Sequence, residues 1–180
     1  MKTYSGIAPL PDNNEAPNPI DIVFHLGRTR RFGGWGNPEW TVLHHSLLVS
    51  LIWLRYLGPE GLQFALLHDA HEYITGDIPS PVKHAIGPGA RELEKELDRR
   101  VYARLGLEQP SVNESLSVRV VDLAALFIES YRGFGPKGTF GHLRQVDWPT
   151  IDEAVREQVL GAILGVDEEC YDAMTKPVPV

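Results

Sequence analysis

His68 and Asp69 stand side by side at the end of the apolar run Ala65-Leu66-Leu67, within the stretch ALLHDAHEYITGDIPSPVK. Burying an imidazole and a carboxylate there costs several kcal/mol unless something pairs with them. A divalent metal ion would pair with both, through an imidazole nitrogen and a carboxylate oxygen. On a helix, residues three and four apart share a face. Glu72 is four after His68 and three after Asp69, so all three can point into one cavity. The chemistry this suggests is metal-assisted hydrolysis with a carboxylate at hand. The alternative is a partly exposed helix end with incidental polar residues.

Further ligands can be sought on the same terms. Asp122 lies in VRVVDLAALFIES, where every other residue from Val120 to Ile128 is apolar, counting alanine. A carboxylate in such a run pairs with a cation or is driven to its neutral form. An ion pair with Arg119 or Arg132 would also satisfy it. Glu129, two helical turns on, lies beside the same cavity or at a solvated helix end. His45 shares a face with Val49 and Ile52, the face expected to look inward, which favours ligation. Its neighbour His44 is expected at the surface. His25, His71, His84 and His142 have no comparable setting, and the offset of His71 makes it a poorer ligand.

These side chains need a helical frame. Ile20, Val23, Phe24 and Leu26 have helical spacing, and Gly27 ends that run. RTRRFGGWGNPEW reads as a loop, with three arginines and two tryptophans. Trp40 or Thr41 opens a helix that ends at Gly58. Pro59 starts another, expected to run unbroken to about Thr75, where Gly76 stops it. DIPSPVKHAIGPG reads as a proline-punctuated turn with one short helix. Residues 89–105 form a charged amphipathic helix with a seam of Leu93, Leu97, Val101 and Leu105. Asn113 or Ser115 caps a helix to about Tyr131. A glycine-rich loop spans 133–141, and two helices are expected over 150–164 and 167–174. No strand pattern or repeat is visible. The fold class is all-α, a compact single-domain bundle of six or seven helices over residues 1–180, with 1–19 an extended arm.

The totals agree with one domain. The chain has 180 residues, 43% hydrophobic and 23% charged, enough for one core. Its net charge of −7 argues against coating a nucleic-acid polymer, though not against a local basic pocket. Cys170 stands alone, which excludes an intrachain disulfide and a cysteine zinc cage. MKTYSGIAPLPDNN lacks the apolar core of a secretory leader, and no run is long enough to span a membrane. A cytoplasmic location is expected.

The order His45, His68-Asp69, Asp122 resembles the H…HD…D signature of the HD-domain phosphohydrolases. HDAHEYITGDIPSPVK resembles the matching segment of one branch, the bacterial 5′-deoxynucleotidases and phage deoxynucleotide triphosphohydrolases. RRFGG ahead of WTVLHHSLLVS is similar to the same branch, where an Arg-aromatic pair precedes the first metal histidine. The resemblance covers roughly residues 20–132. It departs at His44, where many relatives carry an acidic or amide residue, and at Phe32, where the bacterial enzymes typically carry tryptophan.

The resemblance implies an HD-type fold and a divalent ion on His45, His68, Asp69 and Asp122. Co, Mn, Zn, Mg, Ni and Fe all suit such a donor set. It implies Glu72 as the proton carrier, with orientation of a ligand histidine as the alternative. Asp77 would accept a hydrogen bond from a sugar 3′-hydroxyl, unless it is only a turn residue. Arg31 and Phe32 would lie at the cavity mouth, gripping phosphate and stacking on a base. Trp35 is a further stacking candidate, or a core residue. Lys83 and Arg119 would add charge beside the phosphates, or remain solvated. The implied activity is a 5′-deoxynucleotidase acting on deoxynucleoside monophosphates. A deoxynucleoside triphosphate triphosphohydrolase is the second reading, drawing support from Arg30, Arg31, Lys83 and Arg119. A non-catalytic nucleotide-binding protein on the same fold is the third. A homo-oligomer is implied as well, with helix 89–105 as its interface or as a solvated face; for a phage-encoded chain the location would be the host cytoplasm.

Overall fold

The computed structural model describes residues 15–132 together with Gly6. Among these residues all regular structure is helical: α1 (Pro19–Leu26), α2 (Val42–Leu57), α3 (Leu62–Leu67), α4 (Glu72–Thr75), α5 (Ser80–Ile86), α6 (Pro88–Leu105) and α7 (Val112–Tyr131), with one 3₁₀ turn at Phe32–Gly34. The expected helices over 150–164 and 167–174, the glycine-rich loop, His142, Cys170 and most of the arm 1–19 lie outside the described residues. No helix among the described residues is long and apolar enough to cross a membrane.

α2 is the central element. It packs against α3 and α7, and α1 packs against α4. Leu48, Val49, Ile52 and Trp53 of α2 meet Ala65 of α3 and Val121, Ala124, Ala125 and Ile128 of α7. Ala65, Ala124 and Ala125 are fully buried, and their small side chains let three helices approach closely. Ile22, Leu26, Val42, Ala70, Tyr73 and Val101 form a second cluster beside the first turn of α2. Gly61 permits the α2–α3 turn. Its φ is +75°, and a Cβ there would lie 2.9 Å from the Trp53 ring.

Capping explains the element starts. Thr41 accepts from the His44 N–H, while His44 Nδ1 accepts from the Thr41 N–H at 3.2 Å. α7 begins at Val112, earlier than expected, because Ser111 and Glu114 form a reciprocal capping box. α1 buries Leu26 of the expected face, but its other buried residues are Asp21 and Ile22, and Ile20 and Val23 are exposed. On α6, Ala90, Leu97, Val101 and Tyr102 are buried, while Leu93 and Leu105 lie at the edge of the seam.

The helix expected from Pro59 to Thr75 is broken. α3 stops at Leu67, and residues 68–71 form a tighter turn before α4. The Ala70, Glu72 and Tyr73 N–H groups donate to carbonyls three residues back, not four. A side chain accounts for the switch. His68 Nδ1 lies 2.8 Å from the Ala65 carbonyl, the acceptor that a continuing α-helix would offer to the Asp69 N–H. At three residues per turn, positions three apart eclipse. His71 therefore follows His68 to the inside, and Glu72 follows Asp69.

Candidate metal centre

Four elements converge on one point. The first turn of α2 brings His45, the tight turn after α3 brings His68 and Asp69, α7 brings Asp122, and the segment before the 3₁₀ turn brings Arg31. His45 Nε2 lies 3.2 Å from His68 Nε2, 3.0 Å from Asp122 Oδ1 and 3.7 Å from Asp69 Oδ2. His68 Nε2 lies 3.2 Å from Asp69 Oδ2 and 3.8 Å from Asp122 Oδ1. Donors about 2.1 Å from one ion are separated by about 3.0 Å in an octahedron and about 3.4 Å in a tetrahedron. The separations of 3.0–3.2 Å match such edges, whereas His45–Asp69 at 3.7 Å and His68–Asp122 at 3.8 Å are longer. His45, His68 and Asp69 form the tightest donor group, with Asp122 beside it.

The hydrogen bonds on the far side of each ring decide its tautomer. His45 Nδ1 meets Glu129 Oε1 at 2.9 Å. His68 Nδ1 meets the Ala65 carbonyl at 2.8 Å. A carboxylate and a carbonyl only accept, so both Nδ1 atoms carry hydrogens. The neutral rings then present Nε2 lone pairs inward, toward each other and toward two carboxylates. A cation among them resolves that repulsion, so the residues fit a divalent ion. The same field draws a proton. Burial and the Arg31 charge push His45 down, yet Glu129 and Asp122 outweigh them and raise it to about 9. Burial pushes Asp69 up, but His68, His45 and Arg31 hold its carboxyl well below the ordinary range.

Glu129 is no solvated helix end. It is fully buried. It accepts from Trp40 Nε1 at 2.6 Å and from Arg31 Nη2 at 3.3 Å, besides orienting His45. Burial pushes its carboxyl up, but the His45 and Arg31 charges bring it down to about 2. Asp122, expected to be buried, has a side chain 36% exposed. Its α7 face opens to solvent at this point, and its partners are His45 and His68 rather than Arg119 or Arg132.

Arg31 was expected at the cavity mouth and is instead buried. Its N–H donates to the Trp40 carbonyl and the Val42 N–H donates to the Thr29 carbonyl, a short antiparallel contact that pulls the loop inward. Nη1 then lies 3.6 Å from Asp69 and Nη2 3.3 Å from Glu129. Phe32, next along, has φ +58°, costly for a phenylalanine. Asp77 helps to hold that conformation by accepting from the Gly33 N–H at 3.2 Å. A Cβ at Gly33 would also meet the Pro79 ring at 3.0 Å. Trp35 is 82% exposed, so it is not a core residue. His44, expected at the surface, is partly buried by its capping bond and by stacking on Trp40 at 5.1 Å; burial lowers its pKa.

Glu72 is 2% exposed, and its Oε2 has no hydrogen-bond partner among the described residues. Burial and the charges of Asp69 and Asp77 push its carboxyl well above the ordinary range, against Arg31 and Lys83. Lys83 is not a solvated charge: Nζ lies 2.8 Å from Glu94 and 3.9 Å from Glu72 Oε1. Arg119 is exposed on α7, and among the described residues no ion pair joins it to the cluster. His71, which the sequence left without a setting, is buried, with Nδ1 3.0 Å from Asp98. No signal in the sequence pointed to Asp98 or Trp40. Glu129 was visible only as a carboxylate two turns from Asp122.

Comparison with known proteins adds kinship. No protein-family model matches the chain. It is 41% identical over 101 residues to an uncharacterized protein of Rhodobacter capsulatus; the match covers 51% of this chain and 52% of that protein. The chain thus spans about half the length of that relative. Over 132 residues it is 34% identical to the uncharacterized protein YfdR of Escherichia coli, covering 72% of this chain and 69% of YfdR. The chain belongs to the family of YfdR. That kinship brings no activity with it, so the chemistry of the centre must be argued from its own side chains.

Proposed function

We propose that this protein is a metal-dependent phosphohydrolase of deoxynucleotides on an HD-type fold, releasing phosphate from deoxynucleoside 5′-monophosphates. The observation that carries this reading is the pair of Nε2 lone pairs, fixed by Glu129 and Ala65, that face each other beside Asp69 and Asp122. Such a centre suits a divalent ion with four protein donors, and the exposure of Asp122 leaves a solvent-facing side for substrate.

A divalent ion held there supplies Lewis acidity toward a phosphoryl oxygen and toward water. The protein supplies the rest. Glu72, buried with one oxygen lacking a hydrogen-bond partner and its carboxyl pushed up by burial and by Asp69 and Asp77, takes or returns the proton. Arg31 keeps its charge under all ordinary conditions and fixes Asp69 and Glu129 from behind. Asp77 accepts a hydrogen bond from the sugar 3′-hydroxyl while Oδ2 holds Gly33. Phe32 and exposed Trp35 offer aromatic faces to the base. Lys83 and Arg119 add positive charge toward the phosphate end, Lys83 from beside Glu72.

One observation favours triphosphate substrates as a second reading. A cavity of about 380 Å³ adjoins Lys83 and is lined by His84, Arg91 and Lys95 as well as Glu92. A longer phosphate chain calls for such added cations. Product analysis over deoxynucleoside mono- and triphosphates, with several divalent metals, tests both readings. Phosphate from monophosphates is expected. Inorganic triphosphate would favour the second reading, and no turnover with any metal would favour a non-catalytic nucleotide-binding protein.

A further inference from the structure

A second group of donors adjoins the first. One ring nitrogen of His71 and one carboxylate oxygen each from Asp69 and Glu72 lie within 4.8 Å of one another. Two observations beyond proximity point to a ligand. Among the described residues, Glu72 Oε2 and His71 Nε2 have no hydrogen-bond partner, and the two side chains are 2% and 5% exposed; His71 Nε2 lies 3.7 Å from Glu94 Oε1. His71 is also held as a metal-binding histidine is held. Its Nδ1 faces the Asp98 carboxylate at 3.0 Å, as His45 Nδ1 faces Glu129, which leaves Nε2 for another task. The local charge agrees. Asp69, Glu72, Glu94 and Asp98 surround this point, against two fixed cations, Lys83 beside Glu94 and Glu72 and Arg31 beside Asp69.

We propose that a second divalent cation binds on Asp69, His71 and Glu72 and inhibits the enzyme, because it occupies the Glu72 oxygen that must carry the proton. This rests on the reading of Glu72 given above. Asp69 is shared, so the two ions are neighbours. The second site is the weaker one, because Lys83 Nζ lies only 3.9 Å from Glu72. Occupancy of both sites therefore requires excess metal, and activity passes through a maximum as metal is added.

The test uses the full chain, stripped by chelation and titrated with Mn²⁺, with free Mn²⁺ read by electron paramagnetic resonance. Phosphate release from dAMP is followed in parallel. Two ions per chain are expected, with an exchange-coupled spectrum once both are bound. Phosphate release should rise with the first ion and fall roughly 10²-fold as the second fills. His71→Gln should bind one ion and lose the inhibition. Asp98→Asn leaves the ligands in place and should weaken the second ion about 10–100-fold; it serves if His71→Gln does not fold. One ion per chain in the wild type at saturating Mn²⁺, or two unweakened ions in both variants, would overturn the proposal. If no metal supports hydrolysis, the phosphohydrolase reading falls, and the ion count still judges the second site.

Discussion

His45 Nε2 and His68 Nε2 lie 3.2 Å apart although neither ring has a hydrogen to spare for the other in its neutral form. Glu129 and the Ala65 carbonyl hold the Nδ1–H groups, from α7 and from α3 respectively. The pair is thus a local charge problem set by two distant elements, one that a bound cation or a proton on His45 would relieve. It also couples the centre to the fold, since the His68 ring bond is the one that breaks the helix after Leu67.

Glu129→Gln should damage both stability and metal binding. The amide cannot balance Arg31 and His45 together, and breaking such a buried network costs about 3–5 kcal/mol. Metal affinity should fall by roughly 10–100-fold, since His45 loses its orienting carboxylate. The pH dependence follows from sign. The Glu129 carboxyl is lowered from its ordinary 4.5 to about 2, so its contribution is complete above about 4.5 and is lost as pH falls toward 2. Thermal melts of the metal-free protein between about pH 6 and about pH 2 check this. The wild type should lose stability more steeply over that window than Glu129→Gln.

Glu72→Ala should separate chemistry from binding. The ion at His45 and His68 and the affinity for nucleotide should survive, while kcat drops by roughly 10²-fold or more. Elemental analysis beside steady-state kinetics checks it. Loss of the primary ion in step with kcat would make Glu72 a support of the centre instead.

Much of this centre was legible in the sequence because helical spacing carries it. His45 on the inward face of α2 and Asp122 in the apolar run of α7 were found that way, and the all-helical class followed from the same periodicity. His71 was missed for a definite reason. The 3.6-residue period sets it apart from Asp69 and Glu72, whereas the tight turn at 68–71 puts it on the inside. That turn depends on a ring-to-carbonyl bond no pattern announces. The role of Glu129 depends on contacts between residues 84 to 98 positions apart, and the inward pull on Arg31 on a backbone bridge between two segments, neither of which spacing along one element can reveal.

Asp77→Ala should weaken turnover of deoxynucleotides and narrow their advantage over ribonucleotides. Loss of one charge-assisted hydrogen bond corresponds to about 1.5–3 kcal/mol, roughly tenfold or more in kcat/KM. The Gly33 N–H loses its acceptor as well, so the strained Phe32 turn should loosen. Values of kcat/KM for dAMP against AMP, and dATP against ATP, check the prediction in both proteins. An unchanged ratio would leave Asp77 as the fastener of the Gly33 loop alone.

The most direct measurement is phosphate release from dAMP by chelated protein resupplied with Mn²⁺, for the wild type and for Asp122→Asn. The asparagine keeps the shape of the side chain, and α7 should remain folded by circular dichroism. The wild type should bind metal and release phosphate only when metal is present. Asp122→Asn should do neither, because the centre has lost a charge that the ion requires. Metal binding at full stoichiometry and undiminished phosphate release in Asp122→Asn would contradict the account.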